Sequence, residues 1–187
     1  MAALIVSLVA FYFFHSLLAA ENVKAWAHRN LGLQRWYRAV YVIITLLLLT
    51  WVVASFLSIE AHPLIMFPIG LRILGILLLV IGILLQLLSV MRFGFLGFIG
   101  IVPERSGDLV RTGLHGKVRH PIYSGFIIMA IGWLLLAPTL PVIVTVLVSF
   151  LYLPAGIHLE EKKLIARFGD AYRRYRSEVP AIVPFKW

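Results

Sequence analysis

The sequence contains no cysteine, which removes disulfides, thiolate zinc sites and cysteine nucleophiles from consideration. Acidic residues are scarce: 8 Asp and Glu stand against 17 Lys and Arg, a formal net charge of +9. Charge of either sign is thin, at 13% of residues, while 61% are apolar. Soluble domains run near one quarter charged and about half apolar. A chain of 187 residues has too small an interior to hide so much apolar surface, so lipid must cover part of it. The length fits one domain, residues 1–187. The basic residues lie beside apolar runs, so anionic lipid headgroups, rather than nucleic acid, account for the positive excess. The chain also lacks an internal repeat of the kind transporters carry and a separate dinucleotide-binding glycine fingerprint.

Long apolar runs are present in place of these features. Ala2–Ala20, Tyr37–Leu57 and Ile69–Val90 are each long enough to cross a hydrocarbon core of ~30 Å as a helix. A fourth run, Ile122–Ile157, exceeds one span, and Pro138 and Pro141 in Ala-Pro-Thr-Leu-Pro punctuate it as a turn. It predicts two short helices in a hairpin; a re-entrant hairpin is the rival reading. The first run has no Lys or Arg before it and Lys24, Arg29, Arg35 and Arg38 after it. That polarity is wrong for a cleaved signal and right for a helix with its N-terminus outside. Alternating the loops places all Lys and Arg except Arg72 on one side. The expectation is therefore an all-α integral membrane bundle of five transmembrane helices, N-terminus outside and C-terminus cytoplasmic. Residues 1–91 hold three helices, and 92–187 form a second half rich in polar groups.

Those polar groups concentrate in two stretches. In Glu104–Tyr123, Gly107, Gly113 and Gly116 permit backbone turns that other residues resist. Pro121 then stands where a helix would start. A glycine-bearing loop entering a helix N-terminus suits a carboxylate or phosphate; a basic loop meeting lipid headgroups is the equally weighted alternative. The second stretch starts at Leu159-Glu160-Glu161. In it Leu164, Phe168, Tyr172, Tyr175 and Val179 recur at helical spacing, which predicts a C-terminal amphipathic helix on the membrane surface. Glu160 and Glu161 suit a helix N-terminus. Carboxylates so close to an apolar span also call for a cationic answer, which the sulfonium and ammonium of a bound cofactor would give.

Five elements occur in order: Leu109-Val110-Arg-Thr-Gly113-Leu-His115, Arg119-His120-Pro121-Ile122-Tyr123-Ser-Gly125, Glu160-Glu161-Lys-Lys-Leu164, Phe168-Gly169-Asp-Ala-Tyr172-Arg-Arg-Tyr175, and Val179-Pro180 with Pro184-Phe185. Each is weak alone; the ordered set, over residues 107–185, resembles the isoprenylcysteine carboxyl methyltransferase family of membrane enzymes. That family also includes phospholipid N-methyltransferases and bacterial thiol S-methyltransferases. Phe14-His15-Ser16-Leu-Leu-Ala19 is similar to the opening helix of its NnrU-type and methanethiol S-methyltransferase branches. The resemblance implies S-adenosyl-L-methionine as cofactor, held by Asp108, Leu109, Val110, His115, His120, Pro121, Ile122, Tyr123 and Glu160, and a lipophilic small-molecule acceptor. It implies no metal.

The chain departs from the family at three positions. His115 replaces a frequent tyrosine, Gly107 a histidine, and Gly156 an arginine that grips the acceptor carboxylate in the prenylcysteine enzymes. An anionic acceptor without a cationic partner is poorly held at low dielectric, so the sequence favours a thiol, an amine or another small lipophile. A thiol or ammonium must first lose a proton, and histidine is the usual base near neutral pH. His15, His158 and His115 are the candidates; His15 alternatively makes a structural bond between helices, and His158 alternatively sits at the interface. His28 and His62 are expected in loops. Two other function classes remain: a non-enzymatic membrane protein that keeps the fold, and an NADPH-dependent reductase, since sterol reductases resemble this family in their C-terminal region.

Overall fold

The computed structural model describes residues 1–33, 36–93 and 109–184, the side chains of residues 92 and 93 excepted. The described residues form seven α-helices and one 3-10 turn joined by short non-helical segments, with no strand among them. They are α1 (Ala2–Leu18), α2 (Glu21–Leu31), α3 (Tyr37–Leu57), α4 (Ile69–Phe93), α5 (Pro121–Leu136), α6 (Leu140–Phe168) and α7 (Asp170–Glu178). An isolated antiparallel bridge between Pro63 and Thr139 ties the α3–α4 connection to the α5–α6 turn.

Three helices, α3, α4 and α6, are long and apolar enough to cross a membrane. A fourth crossing exists if α1 and α2, which bend by 68° at their junction, are taken as one span. The expected five spans are thus met by three helices or four: α5, with 16 residues, reaches roughly 24 Å at ~1.5 Å per residue and falls short alone. Side chains on these helices face outward with no protein over them; Leu47, Leu57 and Leu151 expose 65%, 74% and 81% of their surface. Such exposure of large apolar side chains is tolerable only where lipid replaces water.

Two sequence expectations change here. The predicted terminal hairpin has its break at residues 137–139, but its second arm is not short. α6 runs 29 residues with Pro154 inside it, about 43 Å, and so carries Glu160 and Glu161 beyond the apolar stretch as part of the same rod. The predicted amphipathic helix is consequently divided. Its first half is the end of α6, Gly169 breaks the chain at φ 55°, and α7 begins at Asp170. Tyr172 and Tyr175 are buried in protein, at 1% and 3% exposure, where a surface helix would have turned them to lipid. His28 lies in α2, against the Tyr37 ring, rather than in a loop.

Two seams hold the helices. α4 and α5 pack backbone to backbone through glycines seven residues apart: a Cβ on Gly125 would stand 2.7 Å from the Gly82 carbonyl oxygen, and one on Gly132 would stand 2.6 Å from that of Gly75. Small residues let membrane helices approach this closely. α1 joins α3 and α6 through polar stitches: Tyr12 donates to Ser149 at 2.6 Å, Ser16 and Tyr152 share a bond of 2.6 Å, and Tyr41 bonds the His15 ring at 3.1 Å. The Tyr12 and Tyr152 rings stack at 4.3 Å, and Leu4, Leu8 and Val52 fill the apolar core between α1 and α3.

Gly125→Leu forces the α4–α5 seam apart and is expected to cost at least the ~1–3 kcal/mol of an overpacked core. Gly70→Ala, at a position with no atom within 4 Å of the added Cβ, serves as the control. Thermal unfolding in detergent should show a lowered midpoint for the first and none for the second.

Candidate functional site

The site is built on the turn that opens α5. His120 caps the helix in a non-helical conformation (φ −122°, ψ 66°), and Pro121 occupies its first turn, where a preset φ costs nothing and no N–H is wanted. The C-terminal segment straps this turn down. The Arg119 and His120 amides donate to the carbonyls of Pro180 and Ala181 at 2.8 and 2.9 Å, and Ser124 Oγ donates to Ile182 at 2.7 Å. On the other flank, a single 3-10 turn at Gly113–Gly116 begins with Gly113 at φ 66°, a left-handed conformation that glycine adopts without strain. It buries His115, whose carbonyl accepts the Tyr175 hydroxyl at 2.5 Å. Arg111 donates to the Ala171 carbonyl at 2.6 Å. The described parts of the five motif elements therefore converge, since α7 and the chain after it lie against the loop before α5; Phe185 lies outside the described residues.

Charge is concentrated at the centre. Arg119 places Nη2 at 2.7 Å and Nε at 2.9 Å from Glu161 Oε1, and its Nη1 donates to the carbonyls of Arg176, at 3.0 Å, and Val179. Arg176 Nε approaches the other Glu161 oxygen at 3.3 Å. His120 bridges the two acids, with Nε2 at 3.2 Å from Glu161 and Nδ1 at 3.4 Å from Glu160. A carboxylate as buried as Glu161 persists as an ion only with charge and hydrogen bonds on both oxygens, and this arrangement supplies them. Glu160 differs: its side chain is 48% exposed and His120 holds it from one side. Burial pushes the Tyr172 and Tyr175 phenols above their usual range, so both stay neutral. The buried Tyr172 hydroxyl meets no hydrogen-bond partner among the described residues.

Glu160 opens onto a cavity of about 220 Å³ between α1 and α6, lined by His15, Ser16, Ala19, Tyr123, Tyr152, Gly156, Leu159, Glu160 and Lys163. Gly156 makes room for the tyrosines, because a Cβ there would come within 3.0 Å of the Tyr152 ring and 3.3 Å of the Tyr123 hydroxyl. Lys163 reaches across to donate to the Ala19 carbonyl at 2.5 Å, at the end of α1. Cavities for whole drug-sized ligands run ~300–1,000 Å³, so this one suits a small acceptor or one end of a larger molecule.

Of the residues singled out in the sequence, His15, Tyr123 and Glu160 line this cavity, His120 is buried against Glu160, and Pro121 is buried next to it in the chain. Leu109, Val110 and Ile122 are half-buried. His115 belongs to a second cavity of about 210 Å³, with Leu88, Ser89, Thr112, Gly113 and Leu114. His158 is not in the site. It is exposed on α6, two residues from both Gly156 and Glu160 and hence about 200° round the helix. Asp108 and Gly107 lie outside the described residues. Sequence reasoning passed over Arg119 and Glu161 as a pair, and Tyr152, Ser16 and Lys163 as cavity groups. The signal was available: Tyr152, Gly156, Glu160 and Lys163 fall at spacings of four, four and three, one face of a single helix.

The fold and this site define a helical integral membrane protein with a charged cleft where its apolar helices end. The model of the family described as NnrU protein matches residues 3–183, and the chain belongs to that family. Among curated proteins, it is 39% identical over 87 residues to the protein-S-isoprenylcysteine O-methyltransferase of Schizosaccharomyces pombe, covering 45% of this chain and 37% of that protein. It is 40% identical over 80 residues to methanethiol S-methyltransferase 1 of Bradyrhizobium diazoefficiens, covering 39% of this chain and 25% of the other. The Saccharomyces cerevisiae protein-S-isoprenylcysteine O-methyltransferase is 33% identical over 116 residues, 60% of this chain and 48% of its own. The matches thus span less than half the length of these relatives. No solved structure matches.

Removing one member of a buried ion pair strands the other, at about 3–5 kcal/mol. Glu161→Gln should therefore lower the unfolding midpoint well below that of Glu160→Gln, whose side chain is half in solvent. Denaturation followed by circular dichroism checks the order.

Proposed function

We propose that this protein is an S-adenosyl-L-methionine-dependent membrane methyltransferase that acts on a lipophilic acceptor: a thiol, an amine or an isoprenylcysteine-like carboxylate. The observation that carries this reading is Glu160, a half-exposed carboxylate held by His120 at the mouth of a cavity that runs between membrane helices to His15. An acid in that position awaits a cation, and the names of the curated relatives supply the reaction class.

When bound, the cofactor supplies the methyl group on a sulfonium. The donor set fits it. Glu160 answers the positive charge, and His120, Pro121, Ile122 and Tyr123 form the wall behind. Leu109 and Val110 stand on the loop side, with His115 at its edge, and Asp108, outside the described residues, joins them on the family resemblance alone. The unpartnered Tyr172 hydroxyl, close enough to Glu160 and Glu161 to feel their charge, adds a donor. The protein's share of the catalysis is to align two reactants and exclude water; such alignment is worth about 7–11 kcal/mol in well-oriented systems. His15, at the far side of the cavity and fixed by Tyr41, is the base that takes a proton from an acceptor needing one. His158 has no part in this mechanism, because it faces away.

In this reading α1 and α5 complete five spans, with the N-terminus outside and the C-terminus cytoplasmic. The C-terminal half holds the cofactor and α1 forms the acceptor wall. The acceptor enters laterally from lipid, and the cofactor enters from the cytoplasm beside the basic loops.

Calorimetric titration of the purified protein with S-adenosyl-L-methionine should give a saturable isotherm that Glu160→Gln weakens at least tenfold and His120→Ala abolishes. Unchanged affinity in both variants would falsify the assignment. Topology is testable because the chain has no cysteine of its own. In intact cells a membrane-impermeant maleimide should label Glu60→Cys, whereas Ser177→Cys should react only after lysis; the reverse pattern inverts the protein.

A further inference from the structure

Two charged side chains line the cavity between α1 and α6, Glu160 and Lys163. They stand three residues apart on one helix, so their Cβ atoms are neighbours, yet they face different partners. Glu160 turns to His120. Lys163 turns to the Ala19 carbonyl, at the end of α1, where the helix dipole places partial negative charge. That bond keeps the half-buried ammonium at the cavity wall, where a free lysine would stretch toward water. An ammonium carries three N–H donors, and a neutral carbonyl takes one. Among the described residues Lys163 forms no ion pair.

We propose that Lys163 is the anion-binding residue of the acceptor site. It selects acceptors that are negatively charged when they react, thiolates and carboxylates, and it rejects ammonium ions. The inference rests on the methyl-transfer reading above and narrows it. Two charges of opposite sign in one small cavity suit two reactants of opposite sign. The carboxylate faces the cationic donor and the ammonium faces an anionic nucleophile, with the Ser16 and Tyr152 hydroxyls on the same wall. A thiol gives its proton to the His15 ring; a carboxylic acid arrives already ionised. The acceptor's lone pair then forms the new bond to methyl as the methyl–sulfonium bond breaks. The bonding pair stays on the sulfonium sulfur, leaving a neutral thioether and an uncharged methylated acceptor. An ammonium acceptor would instead bring like charge against Lys163, which like-charge repulsion at low dielectric opposes.

The test uses the full chain in a neutral maltoside micelle, with fluorine NMR titrations of 6,6,6-trifluorohexanoate and 6,6,6-trifluorohexylamine, probes of matched length and opposite charge. The wild-type protein is expected to bind the acid at least tenfold more tightly than the amine. Lys163→Gln should erase that preference, and Lys163→Arg should keep it. All three proteins should retain helical circular dichroism and a calorimetric affinity for S-adenosyl-L-methionine within twofold of one another. Equal binding of both probes by the wild-type protein, or an intact preference in Lys163→Gln, overturns the proposal. It is also overturned if Lys163→Gln loses cofactor affinity and keeps acid binding, since Lys163 would then hold the cofactor's own carboxylate. Failure of the wild-type protein to bind the cofactor, with the acid preference and its loss in Lys163→Gln preserved, would leave the anion site standing and strike the methyl-transfer reading alone.

Discussion

A buried carboxylate in a protein this rich in lipid-facing surface must be neutralised on the spot, and Glu161 is neutralised by Arg119. That ion pair joins four pieces of chain, alongside the backbone bonds of the C-terminal strap. Arg119 belongs to the turn before α5. Glu161 stands on the polar end of α6, and the Arg119 guanidinium also caps carbonyls of α7 and the strap beyond it. His120, next in the chain, is aimed by the same carboxylate. The orientation of Glu160, and with it the shape of the cleft, follows from where this pair sits.

The charged cleft would be of little use without the rod that carries it. α6 is continuous from its apolar start to Phe168, so one face of one helix holds Tyr152 and Gly156 among apolar neighbours and Glu160 and Lys163 beyond them. α1 lies against α6 through Tyr12, Ser16 and the Ala19 carbonyl, which meet Ser149, Tyr152 and Lys163. Polar bonds between helices are modest in membranes, on average ~0.6 kcal/mol, but they fix register well because the side chains have few other partners in lipid. The result is a cavity lined by Tyr152 and Gly156 on the apolar side and by Glu160 and Lys163 on the charged side.

Much of the molecule was legible in the chain before folding. Long apolar runs specify lipid-covered helices whatever their order, and Pro121 after Arg119-His120 specifies a helix start, because the chemistry of both signals is local. Periodicity alone does not show where a helix ends or what covers it. The amphipathic periodicity of residues 159–179 treated as one surface helix is really two helices parted at Gly169, whose apolar side chains cover a neighbouring loop. His158 stands two residues from Glu160, and helical geometry turns it about 200° round the helix from the cavity face. At Gly156 the missing side chain suggested an absent cation. In the folded protein two tyrosines crowd that position, and Lys163 brings a cation to the same cavity from about two turns further along the same face.

The sequence by itself determined that the chain lives in lipid, that it is helical, and that its polar groups gather in two stretches of the second half, since hydropathy and backbone preference act within a few residues. Only the tertiary structure decided which of those groups share a space. Groups far apart in the chain, the charges of Arg119 and Glu161 and the Lys163 ammonium with the Ala19 carbonyl, are brought together by helix packing, and a buried charge is stable only where that packing delivers its partner.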